Sequence, residues 1–203
     1  MHRQMLAHPR ETRKSNGPVF SCLALLCLLC LTGCASRSAD LYRDQNMDFG
    51  AIRAVAIMPL ANFSKEAQSG DRVRDVLANN LLASGGIYVI PSGELARGIV
   101  AANVANPAAP SVEEVVKLCR ILKVDAVMTG SIREYGALKS ASAVADVVSF
   151  SMQLIEGQTG RIIWSASATA GGIGLKERLL GGGGDPINNV SERAVNEIIN
   201  KLF

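Results

Sequence analysis

A run of thirteen residues, Val19 to Leu31, carries no charge and ends in Leu31-Thr32-Gly33-Cys34. Arg3, Arg10, Arg13 and Lys14 precede it as a basic leader. The run fits the apolar part of a signal peptide and falls well short of the ~20 residues a membrane-spanning helix needs. Two small residues before a cysteine at its end read as a lipobox, with cleavage before Cys34 and lipidation of its thiol. Three further cysteines lie in the apolar run, but they lack these neighbours. This feature decides which residues remain to fold. It divides the chain into a leader, 1–33, a lipidated Cys34 with a tether, 34–50, and a domain, 51–203.

Removing the leader leaves 170 residues, enough for one domain with a real core. It also removes both histidines, His2 and His8, and three of the five cysteines. The remaining chain has 17 basic and 17 acidic residues, so the formal charge of +3 belongs wholly to the leader. A neutral domain has no electrostatic footprint for nucleic acid. Without histidine, Ser-His-Asp and Cys-His catalysis are excluded, as are zinc sites built on histidine. Cys119 has no internal partner for a disulfide. It lies in the helical stripe Val112, Val115, Val116, Cys119 and Leu122, which makes it a small buried apolar residue.

Residues 35–50 are polar and mixed in charge, as in a tether, spanning about 20–24 Å on average. Ala51 to Leu60 then forms a strand whose centre, Ala54-Val55-Ala56-Ile57-Met58, is apolar on both faces. Asn62-Phe63-Ser64 opens a loop. Asp71 caps a helix to about Ser84, and Gly85-Gly86 stops it. Ile87 to Ile90 is a second strand, and Ser92 opens a helix to about Ala102. Ser111-Val112-Glu113-Glu114 is a capping box starting the helix that ends near Lys123. Val124 to Tyr135 is the third strand. This order favours three parallel strands joined by helical crossovers.

The period then changes. Val148, Phe150, Met152 and Leu154 alternate with Ser149, Ser151 and Gln153, the pattern of a strand with one wet face. Glu156 to Gly160 is a turn, and Arg161 to Ala170 returns, with Ile163 and Ser165 on one face and Ile162 and Trp164 on the other. The fold expected is α/β, a mixed sheet of about five strands made of three parallel strands and an antiparallel hairpin. Asp185-Pro186 caps a last helix that turns Ile187, Val190, Ala194, Ile198 and Leu202 inward.

The glycine-rich segment Gly171 to Gly184 meets neither the Walker A nor the dinucleotide pattern. It reads as a surface loop or a loop that orders on a partner. Glu113 and Glu114 are explained by the capping box; Glu134 and Asp146, which flank a loop, leave an enzyme with a carboxylate site as a third alternative, and no cofactor site emerges. One long hairpin cannot build a membrane pore, which needs repeated strands of ~9–11 residues. Candidate contact residues are Asn62 and Phe63 after the first strand, Tyr135 at the end of the third, and Gly172 and Gly182 in the glycine-rich segment.

Three segments together resemble a superfamily of bacterial lipoproteins: Ala54 to Ser64, Val124 to Ile132, and Leu154 to Trp164 with Thr159-Gly160 at its turn. The superfamily includes the curli-secretion lipoprotein, the penicillin-binding-protein activator lipoproteins and neisserial lipoproteins similar to the TolB N-terminal domain. The resemblance implies a TolB N-terminal-domain-like α/β domain that makes protein contacts without catalysis. By similarity to known lipoproteins, Ala35 rather than Asp after the cysteine implies the periplasmic face of an outer membrane. The expected partners are the membrane, through lipid on Cys34, and another envelope protein in a secretion, transport or wall-synthesis assembly. A homo-oligomer is allowed, and an oligomeric export-channel subunit is the alternative. The loop near Gly136 to Val144 is too short for the extra membrane hairpins of the curli-secretion type. A sixteen-residue tether is short beside that of the activator type.

Overall fold

The computed structural model describes residues 40–139, 144–172 and 184–203. Cys34, Gly182 and most of the glycine-rich segment lie outside them. Among the described residues seven strands form one sheet: β1 (Leu41–Arg43), β2 (Ala54–Ile57), β3 (Ala61–Asn62), β4 (Tyr88–Val89), β5 (Ala126–Lys139), β6 (Val144–Glu156) and β7 (Ile162–Gly171). Four α-helices flank it: α1 (Ser69–Ala83), α2 (Ser92–Ala102), α3 (Val112–Leu122) and α4 (Ile187–Leu202). Strand order is β1-β7-β6-β5-β2-β4, and β3 continues beside β5.

The parallel core is as expected: β2 lies between β4 and β5, parallel to both. The hairpin β6–β7 adds antiparallel to β5. Two strands exceed the expected five. β3 is a short parallel partner of β5, with Ala61 opposite Ser131 and Asn62 opposite Ile132. β1 pairs antiparallel with β7, setting Leu41 opposite Ala166 and Arg43 opposite Trp164. The tether reading of residues 41–50 is therefore corrected. Their polar composition belongs to an edge strand and the short 3-10 turn Phe49–Ala51. The Arg43 guanidinium donates to the Leu202 carbonyl at 2.8 Å and stacks 4.2 Å from the centre of the Phe49 ring.

The sheet buries its two faces unequally. One core lies beneath α1 and α4, where Val55 and Ile57 of β2 meet Val73, Leu77 and Leu81. Phe150, Met152, Leu154 and Trp164 of the hairpin extend this core to Val190, Ala194, Val195 and Ile198. Each such side chain contributes about 1.5–3 kcal/mol when fully buried. The second core lies beneath α2 and α3 and takes Ala56 of β2, Met58 just after it and Val127 of β5. That cluster has no member from β7, and from β6 it reaches only the partly buried Ile155. The second face of the hairpin is thus largely free of helix cover.

Two bulges break the period-two reading. Ile132 opposes Phe150 and Glu134 opposes Ser149, which leaves Arg133 unpaired in the ladder. An extra residue reverses the facing of all that follows. Leu154 opposes Trp164 but Ile155 opposes Ile162, so Ile163 is also extra. Ile163 and Trp164 therefore both point into the α4-side core, while Ile162 is exposed. The expected pairing of Ile162 with Trp164 is corrected on this ground. The cap residues shift too. Gln68 precedes α1, with Asp71 inside its first turn, and Pro186 precedes α4, with Asp185 paired instead to Arg193.

Candidate functional site

The uncovered half of the sheet forms the floor of a groove of about 730 Å³. Thr129 and Ser131 of β5 and Ser151 and Gln153 of β6 line that floor. They face it because their neighbours in sequence, Met128, Met152 and Leu154, are committed to the α4-side core. The Ser131 and Ser151 hydroxyls lie 3.1 Å apart, so each already has a partner. One wall is the loop and first turn of α3, Ala108 to Val112. The other is Tyr42 with Ile162, and Phe63 stands at one end.

Each wall is fixed by local chemistry. At α3 the capping box forms: the Ser111 hydroxyl accepts from the Glu114 amide, and the Glu114 carboxylate accepts from the Ser111 amide at 2.7 Å. The second Glu114 oxygen accepts from the Ala105 amide, also at 2.7 Å. These backbone amides, Ala105 foremost, hold the Glu114 carboxyl below its ordinary pKa. Glu114 thereby fastens the loop 105–111 to the helix. Gly160, at a positive φ of 71°, lets the hairpin turn approach Val112 with no Cβ in the way.

Asn62 holds Phe63. Its side-chain carbonyl accepts from the Ser64 amide at 2.9 Å, and its amide donates to the Glu66 carbonyl at 2.8 Å. The Phe63 amide donates to the Ile132 carbonyl at 2.9 Å. With backbone and loop fixed, the phenyl ring is left 74% exposed. Such a ring loses little entropy when covered, because its backbone is already ordered.

Four large apolar side chains, Tyr42, Phe63, Val112 and Ile162, are exposed and converge on this groove. Among the described residues its lining holds a single charged side chain, Arg161, whose guanidinium is paired with the nearly buried Asp44 carboxylate. The groove is therefore apolar at its rim, hydroxyl-rich on its floor and close to neutral.

The residues singled out from sequence fare differently. Phe63 lines the groove, and Asn62 lies behind it, holding the loop that carries it. Tyr135 does not: the bulge at Arg133 turns it into the core, where its hydroxyl lies 3.4 Å from that of Ser191. The expectation that Tyr135 faces a partner is corrected accordingly. Gly172 follows β7 at a φ of +90°, its amide donating to the Asp146 carbonyl, and does not line the groove. Tyr42, Val112 and Ile162 are the exposed groove-lining residues that sequence reasoning missed. The alternation around Ser149, Ser151 and Gln153 was the available signal, since a polar face beside a helix-poor stretch marks a sheet surface left open.

Cys119 is buried between α3 and the β6–β7 turn. Burial foremost, with the Asp125 carboxylate second, pushes its thiol up to about 11. Among the described residues no group of His, Cys, Asp and Glu could hold a metal ion. No helix among them is long and apolar enough to cross a membrane.

A mixed sheet helical on one face and half open on the other defines a small α/β domain. The chain belongs to the GNA1162-like lipoprotein family, whose model matches residues 48–202. No curated protein matches the chain. Among solved structures, PelC from Paraburkholderia phytofirmans, a dodecamer, is similar with a TM-score of 0.53 at 16% identity, over 79% of this chain and 95% of that one. Lipoprotein GNA1162 from Neisseria meningitidis gives 0.52 at 21% identity, over 74% of this chain and 97% of that one. Protein CT253 from Chlamydia trachomatis gives 0.50 at 15% identity, over 75% and 96%. At these identities the likeness is one of fold.

Proposed function

We propose that this protein is a non-catalytic protein-interaction module, anchored by lipid on Cys34 to the periplasmic face of the outer membrane. It serves an envelope assembly for secretion, transport or wall synthesis. The observation that carries this reading is the near-neutral groove on which Tyr42, Phe63, Val112 and Ile162 converge. Monomeric proteins rarely leave large apolar side chains clustered in solvent unless something covers them. The Leu31-Thr32-Gly33-Cys34 motif and membership of a lipoprotein family support the anchor. With β1 starting at Leu41, residues 35–40 can reach about 21 Å at most, which keeps any partner close to the membrane.

A second reading, a subunit of an oligomeric export channel, is favoured by one observation: PelC, similar in fold, is a dodecamer. The test uses a photo-crosslinking residue in intact cells, placed at position 63 and, as a control, at exposed position 72 on α1. Adducts from 63 and none from 72 support the groove as the contact surface. Equal adducts from both positions, or none, refute it. A Cys34→Ala variant that still sediments with membranes refutes the anchor.

A further inference from the structure

β1 joins the sheet without joining a core. Leu41, Tyr42 and Arg43 are all exposed, and none of them belongs to either apolar cluster. What holds the strand is polar. It pairs with β7 over three residues, Leu41 opposite Ala166 to Arg43 opposite Trp164. At its two ends the Ser167 amide donates to the Asp40 carbonyl at 3.0 Å and the Asp44 amide to the Ile163 carbonyl at 2.8 Å. Side chains fasten the same stretch to α4 and β7. The Arg43 guanidinium donates to the Leu202 carbonyl, and the Lys201 ammonium donates to the Asp40 carboxylate at 3.1 Å and to the Ser167 carbonyl at 2.7 Å. Asp44 is paired with Arg161. Contacts of this kind part without baring much apolar surface. The β5–β6 hairpin, by contrast, buries Met128, Ile132, Phe150 and Met152 completely. β1 therefore belongs to the part of the sheet that opens at least cost.

Its place in the chain gives that weakness a use. Cys34 stands seven positions before Leu41, so β1 is the first described strand that a pull on Cys34 reaches. The strand also lies at the edge of the sheet, where β7 is its sole partner among the described strands. Its rungs can open from Asp40 onward while every other strand pair stays intact. Release ends before Met47 and Phe49, which pack against the α4-side core. Residues 40–46 thus come free, a length of at most about 23–25 Å when extended. Tyr42 leaves with them, and Tyr42 with Ile162 makes one wall of the groove.

We infer that β1 is a releasable strap: tension between Cys34 and the groove peels it from β7, lengthens the tether and takes Tyr42 out of the groove wall. The inference rests on reading Cys34 as the anchor and the groove as a protein-contact surface, and it adds how that contact is regulated. A partner close to the membrane meets a complete groove. A partner drawn away meets one with a wall missing, while the core beneath α1 and α4 stays closed.

The experiment reproduces that load. The chain from Cys34 onward, unlipidated, carries one optical-trap handle on Cys34 and one on a Phe63→Cys thiol, with circular dichroism to confirm folding. The first event is a reversible lengthening of no more than about 25 Å, at a force well below that which unfolds the sheet. Leu41→Cys with Ala166→Cys, directly opposed residues, forms a disulfide that abolishes this step, and reduction restores it. Arg43→Ala with Lys201→Ala moves the step to lower force. Unfolding with no earlier step, or a step that survives the disulfide, overturns the inference. In intact cells the full chain carries the photo-crosslinking residue at position 63. Arg43→Ala with Lys201→Ala gives severalfold fewer adducts than wild type, and adding the disulfide pair restores them. Equal adducts from all three overturn the regulation. A wild type without adducts refutes the contact-surface reading instead, and the trap measurement then decides the strap by itself.

Discussion

Gly157, in the turn between β6 and β7, carries the contact that sets α3 against the hairpin. A Cβ built there would lie 2.7 Å from both Cβ and Sγ of Cys119 and 2.9 Å from the Asp125 carbonyl oxygen. Non-bonded carbon contacts are optimal at about 3.5–4.0 Å, so Gly157→Ala forces helix and turn apart by about 0.8 Å. Overpacking of this kind costs about 1–3 kcal/mol. One of the three atoms is fixed to the helix backbone and another is a carbonyl, so neither moves by a rotamer change. The expected cost is therefore at the upper end, about 2–3 kcal/mol. For a domain of this size that lowers Tm by roughly 4–12 °C. Trp164, the sole tryptophan and fully buried, gives the fluorescence signal for urea unfolding. The midpoint should fall with the slope unchanged. Adding Cys119→Ala removes Sγ but not Cβ, so the double variant should recover about 1 kcal/mol of the coupling and no more. Gly93→Ala is the control: nothing lies within 4 Å of its Cβ and its helical backbone suits alanine, so it should stabilise by about 0.4–1 kcal/mol. A Gly157→Ala cost below about 1 kcal/mol, or full rescue by Cys119→Ala, would refute the packing argument.

Three further outcomes are expected. Ser111→Ala removes the hydroxyl half of the capping box and should cost about 1 kcal/mol by urea unfolding. If Glu114 positions the groove wall, Glu114→Gln, which keeps an acceptor for the Ala105 amide, should cost less than Glu114→Ala. Cys119, with its thiol raised to about 11, should resist iodoacetamide at pH 8 in the folded domain and react promptly in urea. Labelling at equal rates in both, read by mass spectrometry, would contradict its burial.

The capping box at Ser111 and Glu114, the doubly apolar strand around Val55 to Met58, and the alternation from Val148 to Leu154 were legible because each depends on neighbours in sequence. The same holds for the buried Cys119, set by the helical stripe it occupies. Tyr135 and Ile162 were misread for one shared reason: a bulge shifts every later side chain to the other face, and nothing local to Arg133 or Ile163 announces it. The tether reading of Leu41 to Arg43 failed differently. An edge strand is solvated along one side and keeps a linker's composition, and its pairing with β7 lies more than a hundred residues away in sequence.

From sequence alone come the Leu31-Thr32-Gly33-Cys34 motif on which the proposed anchor rests, the position of both histidines before it, the even balance of acidic and basic residues after it, and the switch from parallel crossovers to an antiparallel hairpin. These follow from composition and from periods of two and 3.6 residues, which are properties of the chain itself. The groove was decided by tertiary structure. Which half of a sheet its helices leave bare depends on how α2 and α3 settle over β2 and β5, and that is fixed by contacts such as Gly98 against Leu122 and Gly157 against Cys119. Tyr42, Phe63, Val112 and Ile162 are separated by 120 residues of chain, and they become one surface when β1 closes onto β7 beside the wall that Glu114 holds.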